Sequence, residues 1–120
     1  MAIVCTAERR RPGVPTYVAS FSATNASGTN DYDAIDAPAA DSGLRIVIVG
    51  LTLTTNANTV VTLKSDTTAK LSANLYVYGQ VFDHKPYGLL ELDAEEKLAV
   101  SLTGASVTVH GWFEYLLEEA

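Results

Sequence analysis

The stretch Leu44-Arg45-Ile46-Val47-Ile48-Val49-Gly50-Leu51-Thr52-Leu53-Thr54 decides the fold. Its length and its β-branched content read as a central strand largely covered on both faces. The turn residues Asp41-Ser42-Gly43 precede it and Asn56-Ala57-Asn58 follow it. Beyond that turn, Thr59-Val60-Val61-Thr62-Leu63-Lys64 alternates with Val61 and Leu63 inward and Thr62 and Lys64 outward, which predicts a hairpin.

The same period of two runs through most of the remaining chain. Toward the N-terminus, Tyr17-Val18-Ala19-Ser20-Phe21 is a strand, residues 25–30 a polar loop, and residues 31–36 a second strand. Downstream, residues 71–78 set Leu75 and Val77 against Tyr76 and Tyr78, and short strands at 81–83 and 89–92 flank a Pro/Gly turn. Asp93-Ala94-Glu95-Glu96 suits one helical turn, after which Leu98, Val100 and Leu102 alternate inward. The last strand, 107–116, puts Val107, Val109, Phe113 and Tyr115 on one face and His110, Trp112 and Glu114 on the other, with Gly111 as a bulge or a close backbone contact.

About eight strands and no amphipathic helix predict an all-β, antiparallel fold. Uneven strand and loop lengths favour a jelly-roll-like β-sandwich over repeating blades. Residues 1–15 hold three arginines and two prolines around Gly13 and suit neither a helix nor a central strand, so they read as an extended N-terminal arm, the alternative being an untethered terminus. Fully extended, such an arm reaches about 50 Å. The sandwich domain is then 16–120.

Composition narrows the function. The net charge of -6 disfavours a phosphate-binding surface, so nucleic acid is not an expected partner. The single cysteine, Cys5, permits neither an intrachain disulfide nor a multi-cysteine zinc site. The N-terminal apolar stretch is too short for a secretory leader, and no apolar run approaches a transmembrane length, so no membrane partner is expected.

No catalytic motif emerges, and neither a cofactor nor a resident metal is expected. His84 and His110 sit in no ligand or general-base pattern, and Gly-x-Ser-x-Gly does not occur. Asp31, Asp33 and Asp36 alternate as a calcium site would, but without the glycine and terminal glutamate of an EF-hand loop they read as a solvated face. Glu91, Asp93, Glu95 and Glu96 read as turn residues, and Asn25-Ala26-Ser27 as a loop, although it matches a glycosylation sequon. Arg9, Arg10 and Arg11 are suited to carboxylates on a neighbouring protein. Tyr76, Tyr78 and Trp112 are candidates for a subunit interface or a glycan cleft as well as for ordinary packing.

The long strand at 44–53, the run Thr59-Val60-Val61-Thr62-Leu63-Lys64-Ser65, the 88–92 segment and the acidic turn before Lys97-Leu98-Ala99-Val100-Ser101-Leu102 resemble a family of small tailed-phage virion proteins. The likeness covers most of the domain. It departs where the family's Gly-Trp-Phe precedes the acidic turn, since Gly111-Trp112-Phe113 falls here in the last strand. The resemblance implies a non-enzymatic capsid cement or decoration protein on the virion surface, made in the host cytoplasm. Its implied partners are the major capsid protein and further copies of itself, as a dimer or trimer. The competing expectation is a tail-fibre or receptor-binding domain that uses its aromatics on host glycans.

Overall fold

A computed structural model describes residues 15–76 and 88–120 in full and the backbone of residues 80–84. The strands are β1 (Tyr17–Asn25), β2 (Thr29–Ile35), β3 (Leu44–Thr55), β4 (Thr59–Ser65), β5 (Thr68–Leu75), β6 (Gln80–His84), β7 (Leu90–Glu91), β8 (Leu98–Thr103) and β9 (Val107–Glu119). They form two antiparallel sheets. One runs β1-β9-β3-β6, with β7 beside β3, and the other runs β2-β8-β4-β5. The fold is therefore an all-β sandwich, as the alternation predicts.

The pairing is nested. β1 pairs β9, β2 pairs β8, β3 pairs β6 and β4 pairs β5, as though one long antiparallel hairpin had been folded over on itself. Each consecutive pair from β1 to β4 therefore crosses or turns while its partner on the returning half follows. The returning half carries β7 as an extra two-residue segment, which lies along the β3 edge beyond β6.

Alternation fixes which side chains meet between the sheets. Phe21, Ile46, Ile48, Leu51, Leu53, Val61, Leu63, Leu98, Val100, Leu102, Val109 and Phe113 pack into one core, with Phe21 and Phe113 edge to face at 6.0 Å between ring centres. The central strand is buried on both faces, as expected of it: from Ile46 to Leu53 every residue is buried. Its opposite face contributes Val47 and Val49, which join Leu116 in a second, smaller buried cluster. Between Ile48 and Gly50 the β3–β9 register slips by one residue, so Val49 is the extra residue of a bulge.

Three local readings change. β1 continues through Asn25, so the polar loop shrinks to a tight turn over Ala26, Ser27 and Gly28, with Gly28 at φ 70. β5 begins at Thr68 and ends at Leu75, which leaves Tyr76 off the strand. Residues 93–96 form a hydrogen-bonded turn, with Glu96 N–H donating to the Asp93 carbonyl, and not a helical one. Glu95 takes a left-handed φ of 60 there and accepts the N–H groups of Asp41 and Gly43 on its carboxylate at 2.9 and 2.8 Å, which ties this turn to the loop before β3.

Candidate partner-binding surface

The outer face of the β1-β9-β3-β6 sheet is built by β9. Gly111 faces the sandwich interior opposite Leu53, which turns Trp112 outward in a row with Ser20 of β1 and Thr52 of β3. Gly111 is a close backbone approach: a Cβ there would overlap the Thr52 carbonyl oxygen and stand 2.9 Å from Leu53 Cα. No other residue type fits without parting β3 from β9. Trp112 is 48% exposed and Val18, its diagonal neighbour, 69%. Tyr17, at the start of β1, lies on the opposite, Phe21 side of the sheet, where its ring stacks, tilted, on Tyr115 at 5.4 Å and stays 44% exposed at the rim of the sandwich.

Around Trp112 the face is hydroxyl-rich and carries no charge until Glu114. Ser22 Oγ bonds His110 Nδ1 at 3.0 Å, and the Thr24 and Thr108 hydroxyls meet at 3.0 Å. The Thr52 hydroxyl is buried beside Trp112 and has no hydrogen-bond partner among the described residues. At the far end of the face, Arg45 is clamped between Glu118 and Glu91, its Nε donating to Glu118 at 3.0 Å and its Nη2 lying 3.3 Å from Glu91. The Glu118 contact pushes the Arg45 guanidinium up from its ordinary value.

The other sheet presents a different surface. Lys64 donates to Asp31 at 2.7 Å, Lys97 lies 2.9 Å from Asp33, and Lys70 lies 3.3 Å from Asp93. The Lys64 bond holds the Asp31 carboxyl below its usual range, and the Asp33 bond raises the Lys97 ammonium. The alternating aspartates are thus spent on lysines across the sheet, in keeping with a solvated face. No group of three or more His, Cys, Asp and Glu side chains comes together in a metal-binding arrangement among the described residues.

The two described candidate binding residues, Trp112 and Tyr76, lie apart. Trp112 lies on the outer face just described. Tyr76, 65% exposed, follows β5 in the other sheet and edges a shallow depression with Val60, Asn74 and Thr103. Arg9, Arg10, Arg11 and Tyr78 lie outside the described residues, and of His84 only the backbone, paired with Gly50, is described. Sequence reasoning passed over Val18 and Tyr17. The signal was present in the alternation, because Phe21 inward requires Val18 outward.

The Asn25-Ala26-Ser27 sequon proves structural. Asn25 is fully buried, its Nδ2 donating to the Gly28 and Gly104 carbonyls at 2.8 and 2.7 Å and its Oδ1 accepting from Asn30 Nδ2 and Tyr32 OH at 2.7 and 2.9 Å. Both amide hydrogens are used, so the side chain serves as the joint between the β1–β2 and β8–β9 turns. No family model matches this sequence, and no curated protein matches it.

Proposed function

We propose that the chain is a non-enzymatic structural protein of a tailed-phage virion, a jelly-roll module that binds the outside of the capsid as cement and stabilises contacts between major capsid subunits. The nested strand pairs support the jelly-roll reading. The observation that carries the binding role is the exposed Val18–Trp112 pair on the outer face, set among hydroxyls with Glu114 as the neighbouring charge, on the strand that follows residues 1–15, with Arg9, Arg10 and Arg11, in the sequence. An exposed aromatic anchor ringed by hydroxyls and an apolar side chain has the composition of a protein-binding hot spot.

The test is co-sedimentation of the purified chain with tailed-phage shells that lack it. Stoichiometric binding to assembled shells, with little affinity for free subunits, is expected. Trp112→Ala should weaken it by at least about tenfold, and deletion of residues before Thr16 should abolish it while the domain stays folded. A chain that ignores shells overturns the reading. Saturable binding on a glycan array, weakened by Trp112→Ala, would move the assignment to a fibre or receptor-binding domain.

A further inference from the structure

Every open sheet has edges, and a folded chain blunts them with charge, proline, bulges or brevity, because a long, flat, neutral edge pairs with any strand that reaches it. Among the described residues, three of the four sheet edges are blunted. β2 carries Asp31 and Asp33 and a register slip after Asp33. β5 carries Lys70 at a register slip against β4. The β3 side of the other sheet is closed by two short pieces, β6 against residues 50–54 and β7 against 47–48.

β1 has none of these devices. Its nine residues, Tyr-Val-Ala-Ser-Phe-Ser-Ala-Thr-Asn, include neither a charge nor a proline, and they pair with β9 in an unbroken register. In an antiparallel edge strand every second residue sends both its N–H and its C=O off the sheet. Thr24, whose carbonyl accepts the Tyr32 hydroxyl at 3.1 Å, marks that set, which places Val18, Ser20 and Ser22 in it.

We propose that β1 is the docking edge for a second copy of this chain, the two β1 strands pairing antiparallel about a two-fold axis so that the two sheets become one. The strand is self-complementary. Centred on Phe21, the pairing sets Ser20 opposite Ser22 of the second copy and Val18 opposite its Thr24, with no charge facing a like charge. That matters for a chain of net charge -6, whose copies repel one another elsewhere. The join also brings the two Trp112 faces into one continuous surface. A nine-residue edge with its flanking side chains covers on the order of 1,000 Å², at the lower limit of a stable interface, so the dimer depends on concentration. The inference rests on the homo-oligomer part of the reading above and is independent of the shell. An isologous contact of this kind closes at two copies.

Light scattering over a concentration series tests it. The mass should approach twice 12.8 kDa at high concentration and fall to one chain on dilution. Ser20→Pro removes an N–H that points off the edge, so β1–β9 pairing survives while dimerisation is lost. Val18→Lys, at an exposed position, adds the missing gatekeeper charge and should weaken self-association by at least about tenfold; it decides the matter should the proline variant fail to fold. Amide exchange at Val18, Ser20 and Ser22 should slow as concentration rises. A monomer at all concentrations, a trimer, or a dimer indifferent to both variants would overturn the proposal. A monomer that still binds shells would overturn it and leave the cement reading standing.

Discussion

Gly111→Ala adds one methyl group at the tightest point between the two longest strands. The new carbon would overlap the Thr52 carbonyl oxygen and lie 2.7 Å from the Thr52 carbonyl carbon and 2.9 Å from Leu53 Cα. All three atoms are backbone, so no rotamer change relieves the clash. β3 and β9 must separate by on the order of 1 Å, which stretches the adjoining ladder bonds beyond the usual 2.7–3.2 Å range. Overpacking of this kind costs about 1–3 kcal/mol. Weakening of the flanking hydrogen bonds adds about 1 kcal/mol for each of two. The sum, about 3–5 kcal/mol, is a large part of the roughly 5–15 kcal/mol that holds a domain together. At about 4 °C or more per kcal/mol, the melting temperature should fall by well over 10 °C. Gly28→Ala is the control: Gly28 has φ 70 but nothing within 4 Å of its would-be Cβ, so only the left-handed backbone is penalised, by about 1–2 kcal/mol. Urea unfolding of both variants, followed by circular dichroism, separates the two effects. Should Gly111→Ala lose no more than Gly28→Ala, the close approach of β9 to Thr52 is not a constraint on this fold.

Phe113→Ala empties a fully buried site facing Phe21 and should cost about 3–5 kcal/mol in urea unfolding, whereas Trp112→Ala next to it should cost far less because its ring is half exposed. Asn25→Ala strips the Gly28 and Gly104 carbonyls of their donor and should cost about 2–3 kcal/mol; a near-neutral result would mean that water replaces the side chain. Glu95 and Asp31 are held below their ordinary values of 4.5 and 3.8, the first by the Asp41 and Gly43 N–H groups and the second by Lys64. A depressed carboxyl contributes its stability in full above the ordinary value and loses it as pH falls through the lower folded value. The melting temperature should therefore be level from neutral pH down to about 5 and drop below about 4. Glu95→Gln should lower it at pH 6 and flatten the drop; an unchanged acid limb would exclude Glu95 from the acid response.

The strands were legible because burial here follows side-chain alternation. Where period two is strict, as at Val61 and Leu63, the inward set is the buried one, whereas in β8, central to its sheet, Ala99 and Ser101 between Leu98, Val100 and Leu102 are buried as well. The boundaries that moved did so for tertiary reasons. Asn25 has the chemistry of a loop residue, yet it ends a strand because two turns supply carbonyls for its amide. Residues 93–96 have helix-forming side chains, but Glu95 bonds backbone 52 residues away and takes a left-handed φ to reach it. The exposed patch was half visible: Trp112 stands out by type, whereas Val18 becomes conspicuous only once β1 is known to be an edge, and strand order is not written in periodicity.

That strand order gives the two outer faces different chemistry. The β2-β8-β4-β5 face is laced with Asp31–Lys64, Asp33–Lys97 and Lys70–Asp93 pairs, each between partly exposed groups that water would otherwise solvate. Such a face gains little from a partner and loses solvation by meeting one. The β1-β9-β3-β6 face offers Ser20, Ser22, Thr24, Val18 and Trp112, with Glu114 opposite Val18 as the charge beside them and the Arg45 ion cluster toward the opposite end. Covering the Val18–Trp112 part of it removes apolar surface from water, and the polar groups there are mostly hydroxyls, of which Ser22 already bonds His110 and Thr24 bonds Thr108. On the readings proposed above, the uncharged β1 edge and the Val18–Trp112 face beside it would serve as two parts of one contact surface. A double variant follows: Val18→Lys with Trp112→Lys should produce a chain as stable as the parent that neither self-associates nor binds shells. Should it still bind shells at parental affinity, the surface that meets the capsid lies on the opposite sheet, near Tyr76.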